Sequence, residues 1–96
     1  MGFFQTERHL RIIMNTDDQI QRDLNDIGTR LVAIRRKKGF STSKEFATKY
    51  NLPAIQYWKM ENGKANITLK SLLRILAIHK MSVEEFFCED IKKAAA

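Results

Sequence analysis

Cysteine is close to absent from this sequence, and that scarcity closes several routes at once. Cys88 stands alone, so neither an internal disulfide nor a thiolate cluster for a metal ion can form. No histidine or cation stands near it in sequence to activate the thiol, which leaves it inert. Histidine is almost as scarce: His9 and His79 lie far apart and outside any ligand spacing. A glycine-rich phosphate loop is missing too. No metal, cofactor or catalytic site is therefore expected. Long apolar runs are also lacking. Nothing approaches the roughly 18 consecutive residues of a membrane span, and Phe3-Phe4 is broken at once by Gln5, Glu7, Arg8 and His9, which leaves no apolar core for a secretory signal. A cytoplasmic, non-enzymatic protein is the expectation. Repeats, low-complexity tracts and the alternating pattern of strands are absent as well, so the fold is expected to be all-α.

Acids are scarce in the middle of the chain, and this scarcity is the most informative. The net charge is +6 over 96 residues, but it is not spread evenly. Residues 1–29 hold three Lys/Arg against five acids, and residues 75–96 hold three against four. Residues 30–74 hold eleven Lys/Arg against Glu45 and Glu61 alone. A basic centre between mildly acidic ends points to a polyanion partner more strongly than a uniform excess of lysine would. At this length the chain makes one domain with a modest core.

From Gln19 the pattern turns helical. Leu24, Ile27, Leu31 and Ile34 recur at steps of three and four, which places them on one face. Acids crowd the start of this first helix and Arg35-Arg36-Lys37-Lys38 its end, both signs suiting the helix dipole, and Gly39 supplies a left-handed stop. Thr42 and Glu45 have capping-box spacing ahead of a short second helix carrying Phe46, Ala47 and Tyr50. Asn51 tolerates the left-handed region, and Pro53 suits a helix's first turn. A third helix then runs to Asn62-Gly63. Two short helices across a tight turn make the outline of a helix-turn-helix. Thr68 caps a fourth helix striped with Leu69, Leu72, Leu73 and Leu76, which ends near His79. Ser82 and Glu85 cap a fifth, carrying Val83, Phe86 and Phe87. The domain division expected is an arm over residues 1–18, the helix-turn-helix domain over 19–90 and a tail over 91–96. In the arm, Leu10, Ile12, Ile13 and Met14 are apolar but aperiodic. Either Met14 is the true start of translation, or residues 3–14 pack on a partner.

From Ile27 to Phe87 the sequence resembles the lambda-repressor/Cro-like (XRE) helix-turn-helix domain. The resemblance is carried by Arg35 four residues before Gly39, by Ala47 in the second helix and by the Glu61-Asn62-Gly63-Lys64 exit from the third. The Thr68-Leu69 start of the fourth helix and the Ser82-to-Phe87 ending complete it. It implies a five-helix lambda-repressor-like domain with an N-terminal extension, in which Arg35 and Glu61 form a structural ion pair and Ala47 lets the third helix cross closely over the second. It also implies that the third helix, about residues 53–62, enters the major groove of double-stranded DNA. Base readout would then fall to Ala54, Ile55, Gln56, Trp58 and Lys59. Lys59 can donate to guanine and Gln56 can pair with adenine, whereas Ala54 and Ile55 can meet only a thymine methyl. Phosphate contacts would fall to Thr42 or Ser43 with Lys44 at the start of the second helix, and to Asn62, Lys64 and Asn66 after the third. Tyr57 and Met60 are read as its inward face.

The function implied is a sequence-specific transcriptional regulator acting as a homodimer on paired half-sites, with Phe86, Phe87 and the 3–14 arm as dimer surfaces. The competing reading is a protein-interaction module on the same fold, an antitoxin or adaptor, which would dock a protein partner through the apolar Ala54-Ile55-Trp58 face.

Overall fold

A long helix, α1 (Thr16–Lys37), forms the spine of the computed structural model, which describes residues 16–88. The arm residues before Thr16, His9 among them, and the 91–96 tail lie outside the described residues. Four shorter helices follow: α2 (Ser43–Lys49), α3 (Ala54–Glu61), α4 (Leu69–Ile78) and α5 (Val83–Phe86). The expected all-α, five-helix architecture is what the described residues form, with no strand among them. The first helix starts at Thr16, three residues ahead of the apolar period, because Asp17 and Asp18 occupy its first turn, where negative charge meets the positive end of the dipole.

The helix ends share one device. Phe40 N donates to Arg35 O, Leu52 N to Ala47 O, Lys64 N to Lys59 O and Met81 N to Leu76 O, at 2.8–3.2 Å. Each bond wraps a left-handed residue: Gly39, Asn51, Gly63 and Lys80. This is the Schellman closure, which satisfies carbonyls that the last turn leaves free. At the starts, Thr42, Thr68 and Ser82 accept from the backbone N–H three residues on. Only Ser82 completes the reciprocal box, with Glu85 accepting from the Ser82 N–H; that bond holds the exposed Glu85 carboxyl below its ordinary range. Glu45 instead takes a bond from Ser41 Oγ at 3.2 Å.

The core gathers Leu31, Ile34, Phe46, Ala47, Tyr57, Met60, Leu72, Ile75, Leu76 and Phe86. Phe46 is its hub. The rings of Phe40, Tyr50, Tyr57 and His79 all lie 4.9–5.4 Å from it, and Phe40 and Tyr50 also meet each other at 5.8 Å. Phe86 is fully buried, which corrects its expected place on a dimer surface. Of the two phenylalanines, Phe87, 42% exposed, is the one that faces outward. Arg30 is also buried. It donates to Asp26 Oδ2 at 2.8 Å and to the carbonyls of Phe86 and Cys88 at 3.0 and 2.8 Å, so a cation of the basic centre ties α1 to the C-terminal end of α5.

His79 stacks on Phe46 with the planes 8° apart, and its Nε2 is buried without a hydrogen-bond partner among the described residues. Burial, reinforced by the charge of Lys38, lowers its pKa to about 4 from an ordinary 6.5. The folded state therefore favours the neutral ring. The stability this supplies is complete above about pH 6.5 and is lost as the pH falls toward about 4. Urea midpoints measured between pH 7 and pH 4 should fall further in the wild type than in His79→Phe, which keeps the stack and cannot ionise.

Candidate nucleic-acid interface

The third helix reaches the surface because the first holds it by its backbone. Gly28 lies where α1 crosses α3: a Cβ there would strike the Glu61 carbonyl group, whose carbon would lie 2.8 Å away. A side chain at this position would push the helices apart. Two turns later Arg35 closes the same contact. Its Nε donates to Glu61 Oε2 at 2.8 Å and its Nη2 to Oε1 at 3.1 Å, while Nη1 donates to the Phe40 carbonyl at 2.9 Å. Both side chains are buried. Burial alone would lower the pKa of the Arg35 guanidinium, but the bond and charge of Glu61 outweigh it and hold it above its ordinary value. Tyr57 lies one turn before Glu61 and is buried beside the pair. Burial, reinforced by Glu61, keeps its phenol protonated far above the ordinary range.

With Tyr57, Met60 and Glu61 turned inward, the residues expected to read bases face out. Ala54, Ile55, Gln56, Trp58 and Lys59 are all exposed, Ile55 to 74% and Trp58 to 44%. Ile55 and Lys59 are one turn apart on one strip, and Ala54 and Trp58 form the strip beside it. Gln56 is offset toward α4, where with Ser71 and Arg74 it lines a cleft of about 120 Å³. Trp58 is held by its own chain, with the Lys64 ammonium 5.2 Å from its ring centre; such a contact contributes about 0.5–1 kcal/mol at an exposed site.

The residues expected to meet phosphate are less uniform. Thr42 takes the capping role, its Oγ1 accepting from Glu45 N at 3.1 Å, and Ser43 is the half-buried first residue of α2. Lys44, Lys64 and Asn66 are exposed. Asn62 donates one amide hydrogen to the Trp58 carbonyl at 2.8 Å, which leaves its second N–H and its carbonyl oxygen for other partners.

Two of the eleven central cations are turned inward, Arg30 on Asp26 and Arg35 on Glu61. The other nine are exposed, with Glu45 the exposed acid in that stretch. The basic character of residues 30–74 is thus a surface property. Sequence reasoning passed over Gly28, although a glycine inside an amphipathic helix signals a close approach. It also counted Arg30 in the basic centre without giving it an internal partner.

Glu61→Gln should cost about 3–5 kcal/mol in urea unfolding, because it strands a buried guanidinium. Pairing it with Arg35→Met should recover part of that loss. With Arg35→Met measured alone as well, a double variant that costs as much as the two single variants together would show that the pair carries no special coupling.

No family model matches the chain, and no solved structure does. Control protein C.MunI of Mycoplasma sp is similar to it: the two are 34% identical over 74 residues, covering 73% of this chain and 99% of that protein. By that similarity, over nearly the whole of the relative, the chain belongs to the family of this control protein.

Proposed function

We propose that the chain is a cytoplasmic, sequence-specific DNA-binding transcriptional regulator of the XRE type, which inserts α3 into the operator major groove. The observation that carries this reading is the exposed face of α3 amid nine exposed cations, on a helix whose opposite face is bolted to α1. A helix fixed from behind and bare in front is what groove insertion needs. The relative's name, a control protein, agrees with a regulatory role.

In this reading Lys59 donates to guanine and Gln56 pairs with an adenine on the α4 side, while Ala54 and Ile55 make apolar contacts and Trp58 packs along the groove wall. Thr42, Ser43, Lys44, Asn62, Lys64 and Asn66 set the register on phosphates. The domain acts as a homodimer, since one recognition helix covers only a few base pairs. Phe87, Leu69 and Leu73 supply exposed apolar area for the second copy. Docking of a protein partner on the same α3 face is the second reading, and the exposed apolar area of Ile55 and Trp58 is what favours it.

Selection from a randomised duplex library at two salt concentrations tests the first reading. It should yield a palindromic motif and a steep loss of affinity with salt. Lys59→Ala should cost about 1–3 kcal/mol and relax one position of the motif, whereas Lys64→Ala should weaken all sequences alike and reduce the salt slope by about one. Sedimentation at tens of micromolar should show a dimer. The absence of any binding at low salt would sink the DNA reading and leave the protein-docking one.

A further inference from the structure

We propose that Ile55 is a specificity-determining residue that reads the C5-methyl group of a thymine, and that this thymine lies one or two base pairs from the guanine met by Lys59. The inference rests on the DNA-binding reading above. Ile55 is 74% exposed, more than any other large apolar side chain among the described residues, and it is the second residue of the helix that would enter the groove. Its side chain neither donates nor accepts a hydrogen bond. On the major-groove edges of the bases, one group is apolar and projects outward, the thymine methyl. Any other base edge would leave Ile55 facing polar atoms that its bulk desolvates without replacing their hydrogen bonds.

The neighbouring side chains sharpen the assignment. Trp58 carries the Lys64 ammonium over its ring, so it is engaged within its own chain. Ala54 is exposed beside Ile55 but presents only a methyl group. Ile55 is thus the one large apolar group on this face that nothing in the described fold holds or covers. Lys59 is exposed on its own strip, and Lys44 in α2 and Lys64 just past α3 are exposed as well. That charge favours a phosphate-walled groove over an apolar protein cleft. One helical turn separates Ile55 from Lys59 and advances about 5.4 Å, against about 3.4 Å per base-pair step. This sets the spacing between the thymine and the guanine.

The test uses the full chain and the duplex selected from the library, with each thymine replaced singly by deoxyuridine, which lacks only the methyl. Wild type should lose roughly four-fold in affinity at one position of each half-site, the value of one buried methyl. Ile55→Ala should bind the thymine duplex several-fold more weakly and be indifferent to uracil at that same position. Ile55→Val, which keeps a branched apolar tip, should retain the discrimination. Circular dichroism checks that the variants are folded, which the exposure of residue 55 leads one to expect. Specific binding that ignores uracil everywhere, or an Ile55→Ala variant that still senses it, overturns the assignment and leaves the DNA-binding reading standing. Binding without any selected sequence also overturns it. A failure to bind any duplex at low salt removes both.

Discussion

The junction between α1 and α3 is the constraint on which the rest of this structure depends. Gly28 lets the two backbones touch, and Arg35 locks the contact by grasping both oxygens of Glu61. A buried pair of this kind adds little net stability over apolar residues of the same volume, because desolvation offsets much of the attraction. What it supplies is geometry. The fork of the guanidinium and the two oxygens of the carboxylate fix rotation as well as distance, and Nη1 reaches on to the carbonyl of Phe40 just past the end of α1. The outward direction of α3 follows. With Tyr57, Met60 and Glu61 committed to the interior, the helix has no other face to present than Ala54, Ile55, Trp58 and Lys59.

The same economy governs the aromatic core and the charges. Phe46 gathers four rings around itself, so the short α2, too short to be stable alone, is held by tertiary packing instead. Arg30 and Arg35 are consumed by internal ties, and the nine cations left on the surface between residues 30 and 74 keep their charge for solvent or a partner. Counting charges along the chain overstates the basic surface by these two residues, yet the sign and place of the surplus stand.

Much of this was legible in the sequence, because helix ends are written in local chemistry. Gly39, Asn51 and Gly63 each signalled a left-handed stop, and Thr42, Thr68 and Ser82 each signalled a start. Lys80 takes the same left-handed conformation as Asn51, but lysine has no local preference for it; tertiary packing imposes the turn. Phe86 and Phe87 could not be told apart either, since a helix of four residues is too short to reveal which neighbour turns inward. Gly28 and Arg30 act across 33 and 56 residues of chain, on Glu61 and Phe86, and nothing local marks their partners. For the candidate interface, the sequence identified the face of α3 and the inward pair Tyr57 and Met60. It did not reveal that Gln56 sits toward α4, nor that Lys64 lies over Trp58.

The central claim is that the face of α3 opposite the Arg35–Glu61 junction is the surface that meets DNA. Amide chemical-shift mapping, with a duplex titrated into labelled full-length protein at low salt, tests it most directly. The account predicts that the largest shifts fall on Ser43-Lys44, on Ala54 through Lys59 and on Asn62 through Asn66, with Leu31, Ile34 and Ile75 unmoved. Shifts centred on Leu69, Leu73 and Phe87, with Ile55 and Lys59 silent, would contradict it.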